Sequence, residues 1–328
     1  MFDVYDDALL TRYHEIADRA ELFDRPWEFM WSLEEMKANF RMPNAGERQE
    51  AYAAFDGDAM IGAALGGFAL LDNTDKVYAH ISVEPELRRR GIGSALADFV
   101  AERTRAENRT TVLGESSYRF EDRETHPYLK FAKKNGFDVA NIEIVRVLDL
   151  PVPRASLETM RDEAAPHHAA YRIETYVDDI PESYLESYCY LKNQLVLDAP
   201  MGDFDFEEEA ITPETFLERS AQQKSVGRVR YSALAVDTEG TVVAHTDLVL
   251  PPDGHKVLQW GTLVRRDHRG HRLGTAVKVA NLLALQTGHP ERTEVHTTNA
   301  EVNQAMVQIN DRFGFAPVAV CPGFQRKL

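Results

Sequence analysis

The chain repeats itself. Val83 and Val264 stand 181 positions apart, as do Arg88 and Arg269, while Gly136 and Gly314 stand 178 apart. Duplicated domains whose loops differ in length produce such a register, one that drifts only slightly over a long span. At 328 residues the chain also exceeds what one hydrophobic core usually supports. The sequence therefore divides into a first domain at 1–150, a linker at 151–169 marked by Pro151, Pro153 and Pro166, and a second domain at 170–328.

Each copy runs through the same patterns. In the first, a strand-like run at Tyr52 to Phe55 meets the turn Asp56-Gly57-Asp58, and an apolar run continues to Leu71 as a hairpin. An alternating segment, Val77 to Val83, then enters the basic, glycine-containing stretch Arg88 to Gly93. From there Ile92, Leu96, Phe99 and Val100 recur at helical spacing. The second copy offers strands at Tyr231 to Val236, up to Leu250, and at Val257 to Val264, followed by Arg269 to Gly274. Strands and helices mixed in this order predict an α/β (α+β) fold in each half.

A strand, a glycine-containing loop and a helix start together form an anion site. Free amides at the helix N-terminus point at the ligand, the helix dipole favours negative charge, and glycine lets the backbone approach closely. Taken alone, the same residues also serve any α/β protein as an ordinary helix cap.

The stretch VEPELRRRGIGSAL, residues 83–96, resembles motif A of the GNAT acetyltransferases, with Arg88, Gly91 and Gly93 at the motif positions. The second copy, LVRRDHRGHRLGTAVKVANL at 263–282, is similar, but Arg272 stands at the first-glycine position, which predicts an altered loop path. DAPMGD at 198–203, RGHRLG at 269–274 and TNAEVNQAMVQINDRFGF at 298–315 resemble a recurrent actinobacterial GNAT type. The resemblance implies two tandem GNAT folds, each a mixed, mostly antiparallel central sheet flanked by helices.

It further implies that acetyl-CoA is the co-substrate, with no metal. In the first half Val83, Arg88, Arg89, Arg90, Gly91, Ile92, Gly93 and Ser94 would hold its diphosphate and pantetheine. In the second half these roles fall on Val264, Arg269, Gly270, His271, Arg272, Leu273, Gly274 and Thr275, with Asn299 and Asn303 touching the cofactor arm or ordering the loop. Asn299 is equally placed to cap the following helix.

Family chemistry is direct transfer from the thioester to an uncharged amine, which needs a base and, preferably, an acid for the thiolate. Many GNATs use a tyrosine as that acid; its position holds Ala132 in the first half and Asn310 in the second. Candidate bases are His80, Glu115 and His296, each of which also fits a scaffold or surface role at a strand end. Acceptor choice in this superfamily comes from segments such as Arg25 to Met42, and in the second half Cys189 to Gln223. The acidic run Glu207 to Glu209 in the latter reads as a helix start.

The expected activity is acetyl transfer to the amine of a small molecule, with one half active and the other mainly structural. A protein N-acetyltransferase and a non-catalytic acyl-CoA-binding protein are the alternatives. A net charge of −16 opposes a nucleic-acid partner. Two cysteines, an acidic start and no long apolar run predict a cytoplasmic protein without a membrane partner.

Overall fold

The computed structural model describes residues 2–328. In chain order the elements are α1 (Asp7–Leu22), α2 (Leu33–Arg41), β1 (Glu47–Asp56), β2 (Ala59–Ala69), β3 (Lys76–Val83), α3 (Ile92–Ala106), β4 (Thr111–Glu115), α4 (Pro127–Lys134) and β5 (Asp138–Asp149). They continue through α5 (Arg154–Ala164), β6 (Arg172–Val177), α6 (Glu182–Asp198), α7 (Pro213–Ser225), β7 (Val229–Val236), β8 (Val242–Leu250) and β9 (Lys256–Val264). The last are α8 (Leu273–Gly288), β10 (Glu294–Ala300), α9 (Gln304–Phe313) and β11 (Ala316–Lys327).

The compact units do not follow the sequence division. One comprises Met1–Val145, Met201–Glu207 and Val318–Leu328; the other comprises Arg146–Pro200 and Glu208–Pro317. The break falls inside β5, and the expected linker forms α5, whose Leu157 is fully buried in the second unit's core. Residues 151–169 lie wholly within the second unit, whose core takes the apolar face of α5.

In the first unit the sheet order is β1-β2-β3-β4-β11-β5. The β1–β2 hairpin turns at Gly57, which has φ +58°, and β2 pairs antiparallel with β3. β3 then runs parallel to β4, which requires a crossover, and α3 supplies it. On the far side of β4, β11 pairs antiparallel, Phe324 opposite Gly114. Alternate strand residues separate the two faces. Ala51 and Ala63 join Leu10, Ile16 and Met36 of α1 and α2, while Tyr52 and Ala64 join Leu96 and Val100 of α3, Leu129 of α4, and Val320 and Phe324 of β11.

The second unit repeats the scheme with β6, β7, β8 and β9 antiparallel in turn and β9 parallel to β10. Leu234 and Val242 pack on α6 and α7, whereas Ala233, Ala235 and Val243 pack on Leu273 and Val277 of α8. Each unit is thus a mixed, mostly antiparallel sheet with helices on both faces. The acidic run Glu207 to Glu209 precedes any helix: α7 begins at Pro213, with Thr212 as its capping residue.

Candidate active site

The first-unit loop between β3 and α3 is held from below. Glu84, 2% exposed, is paired with both Arg12 and Arg19 of α1, which fixes the point where the chain leaves Val83. Arg89 (φ +69°) and Gly91 (φ +90°) then adopt left-handed backbone, and Gly91 becomes the N-cap of α3 without any side-chain capping bond. The first amides of α3, at Ile92, Gly93 and Ser94, consequently lack a capping side chain, as an anion cradle requires. Gly93 is glycine for a local reason: a Cβ there would come within 3.0 Å of Phe131 on α4.

These residues form one end of a cavity of about 310 Å³. Val83, Arg88, Arg89, Gly91, Ile92, Gly93 and Ser94 line it, together with Tyr128, Phe131 and Ala132 of α4. Its wall also carries Ala20 and Glu21 of α1, Arg25 just beyond that helix, His80 from β3 and Glu115 from β4. Two of the three base candidates, His80 and Glu115, are therefore brought together in the cavity that the motif loop lines.

Glu115 has access to solvent through the cavity, yet protein surrounds it on most sides. That surrounding disfavours the charged form and, with the negative charges of Glu143, Glu28 and Glu21 nearby, pushes its carboxyl up to about 7 against a hydrogen bond from Tyr78 that pulls it down. Crowding by surrounding protein and the charge of Glu115 in turn raise the Tyr78 phenol above its ordinary range, although the residue keeps 41% exposure. His80 Nε2 lies 2.9 Å from Glu21. Glu21 also pairs with Arg25 at 3.0 Å, so this carboxylate organises both neighbours.

Arg88 turns away from the helix start. Its Nε donates to the Val83 carbonyl at 3.3 Å, one terminal nitrogen to the Tyr128 hydroxyl at 3.1 Å and the other to the Ala20 carbonyl at 3.2 Å. Exposed cations at the cavity include Arg89, Lys130 and Lys134, with the exposed Arg90 next in the loop.

The second-unit counterpart is contacted by its own chain, although Arg269, Gly270, His271 and Arg272 of its loop are exposed. Arg269 makes the same Nε bond to the Val264 carbonyl, at 3.2 Å, but its terminal nitrogen goes to Asp198 at 2.6 Å, and Arg266 pairs with the same carboxylate. Arg272 sits at the N-cap of α8 with φ +53°, in the same left-handed region as Gly91, so the loop keeps its path despite the missing glycine. Gly270 likewise has positive φ. Leu273, Gly274 and Thr275 are buried. His271 contacts the His167 carbonyl, Arg272 donates to the Glu163 carbonyl, both at 3.1 Å, and the Tyr171 hydroxyl meets His268 at 3.0 Å. Glu163 of α5, and His167 and Tyr171 between α5 and β6, thus contact the loop that leads into this helix start.

His296 is buried on β10 and lies 2.8 Å from Glu294, away from solvent. Asn299 accepts from Asn310 at 2.5 Å, and Asn303 caps α9 through the Met306 amide at 3.2 Å. Sequence reasoning passed over Glu21, Tyr78 and Tyr128. Tyr128 lies one turn before Ala132 on α4, a spacing the sequence displays; Glu21 sits on a helix far from any motif and gives no such signal.

Residues 47–139 match the acetyltransferase (GNAT) domain family. Along nearly its whole length the chain superposes on a tandem GNAT protein from the clavulanic acid biosynthesis pathway, with a TM-score of 0.77 at 24% identity, covering 99% of this chain and 97% of that one. The chain carries a GNAT domain within a tandem GNAT fold. A GCN5-related N-acetyltransferase from Sphaerobacter thermophilus is similar to this chain at a TM-score of 0.62 and 15% identity, over 98% of this chain and 93% of that one. A putative acetyltransferase from Pyrococcus horikoshii superposes on it at 0.53 and 14% identity, over 98% and 87%. No curated protein matches the tandem GNAT chain in sequence.

Proposed function

We propose that the first unit binds acetyl-CoA and transfers its acetyl group to the amine of a small molecule, while the second unit is mainly structural. One observation carries this reading: a single cavity joins the α3 cradle to Glu115 and His80, whereas the equivalent helix start in the second unit is buried and contacted by its own chain. The cradle fits a diphosphate, since it presents amides without a capping side chain beside two exposed arginines.

In the proposed reaction Glu115, poised near neutrality, takes a proton from the acceptor ammonium group. The freed amine nitrogen bonds to the thioester carbonyl carbon, backbone amides at the end of β3 stabilise the oxyanion, and on collapse the C–S electron pair leaves with sulfur, which takes the second proton from the nitrogen to give the amide and free CoA thiol. His80, held by Glu21, lines the same path and orients the acceptor. Ala20, Glu21 and Arg25 line the cavity with His80 and Glu115, which favours a small amine over a protein tail. Both cysteines are free and buried, and among the described residues no helix is long and apolar enough to cross a membrane; the first of these fits a reducing cytoplasm.

A second reading, binding of acyl-CoA without turnover, draws on Ala132 and Asn310, neither of which supplies a proton. Release of free CoA thiol from acetyl-CoA, followed across amino acids, amino sugars, diamines and lysine peptides, separates the readings. Turnover on a small amine supports the proposal; saturable binding with no thiol release on any acceptor replaces it with the binding-only reading.

A further inference from the structure

The two motif arginines share one bond and differ in the rest. Arg88 and Arg269 each donate Nε to the carbonyl of the last valine of the preceding strand. Beyond that, Arg269 is neutralised by Asp198, whereas the remaining donors of Arg88 go to a helix carbonyl and a phenol, with its guanidinium 4.9 Å from the Phe23 ring and 5.6 Å from the Tyr128 ring. Its partners stand on three different walls of the cavity: Val83 ends β3, Ala20 lies in the last turn of α1, and Tyr128 opens α4.

The α1 contact has the largest consequence. Residue 20 directly precedes Glu21, whose carboxylate holds His80 at 2.9 Å and Arg25 at 3.0 Å at the acceptor end. Arg12 anchors the body of α1 on Glu84, while its last turn is held by Arg19 on the same carboxylate and by Arg25, which donates to the Ala20 carbonyl at 3.1 Å, so Arg88 adds the bond that links this turn to the loop. A planar fork with fixed donor directions can span three such acceptors; an ammonium on a flexible stem cannot.

We propose that Arg88 is a positioning residue that couples the acyl-CoA cradle to the acceptor wall, setting the place of Glu21 and His80 from the loop that holds the diphosphate. Ligand at the cradle then stiffens the end of α1, and the loop and that helix turn open together when Arg88 is lost. The coupling rests on the first-unit cofactor assignment proposed above; the clamp itself does not.

Hydrogen exchange of the peptide spanning residues 17–25 tests both. Without ligand, Arg88→Lys is expected to speed its exchange at least about tenfold, the loss of one charge-assisted bond to a carbonyl, while the peptide spanning residues 8–15 is unchanged. Tyr128→Phe, which removes a different acceptor of the fork, gives a smaller effect in the same peptide. With acetyl-CoA, exchange of 17–25 slows in the wild type; in Arg88→Lys that slowing disappears although calorimetry still detects binding. Unchanged exchange in the unliganded Arg88→Lys protein overturns the clamp. Full ligand-induced slowing in that variant, or abolished binding, overturns the coupling. Failure of the wild type to bind any acyl-CoA sinks the cofactor assignment and the coupling with it, and leaves the unliganded comparison to decide the clamp.

Discussion

Glu115 is where the proposed chemistry meets a titration. With its carboxyl pushed up to about 7, the fraction able to accept a proton grows as pH rises through neutrality. Initial rates should therefore climb to a plateau above about pH 7, below the acceptor amine's own titration; Glu115→Gln should flatten that limb and slow turnover by roughly 10²-fold. A limb that survives in Glu115→Gln assigns the base to His80. Lys278 titrates for a different reason. It is 3% exposed, donates to Gln259 at 3.2 Å, and burial lowers its ammonium to about 7. In the unfolded chain this lysine stays protonated up to about 10.4, so between those values the unfolded state binds more protons and stability rises with pH. Lys278→Met should raise the melting temperature at pH 7 and flatten this dependence between about pH 7 and 10. The sequence displayed Glu115 as a strand-end acid, but the neighbours that shift it, Glu143 and Glu21, lie on a distant strand and helix. Only the fold brings them within reach.

At the scale of elements, the strand, loop and helix of each motif copy were legible because their signals are local: an alternating strand, glycine at positive φ, and an apolar stripe. The structure keeps the left-handed N-cap in both copies, with Gly91 in one and Arg272 in the other. A non-glycine residue there costs about 1–2 kcal/mol, which the rest of the second unit tolerates. What local signals do not carry is whether a helix start faces a cavity or its own chain. Residues at α3 line a cavity, while the loop leading into α8 is contacted by Glu163 of α5 and by His167 beyond it. Charge reversal should register this difference. Arg89→Glu is expected to weaken acetyl-CoA binding at least about tenfold, and more so at low salt, whereas Arg272→Glu leaves the affinity within about twofold. Asn303 belongs to this scale too: its side chain satisfies an α9 amide, the ordinary work of a cap.

For the whole molecule, the internal repeat announced two GNAT folds, and each unit carries a strand arrangement of the same design. It did not announce that the C-terminal strand completes the first unit. β11 pairs with β4 and places Val320 and Phe324 in that unit's core, so residues at the end of the chain support a cavity built near its beginning. An apolar strand pattern reads the same whichever sheet it joins, which is why the exchange leaves no trace in the repeat. Phe324, 5% exposed, lines the cavity as well as the core, so Phe324→Ala should destabilise the first unit by about 3–5 kcal/mol and weaken acetyl-CoA binding despite its distance in sequence from the motif. Thermal melts with and without acetyl-CoA check this. The most direct test of the account is the stoichiometry of acetyl-CoA binding by calorimetric titration of the full chain, alongside Arg89→Glu and Arg272→Glu. The account predicts a single site per chain, weakened by the first substitution and kept by the second. Two sites, or one site lost through Arg272→Glu and retained in Arg89→Glu, would contradict it.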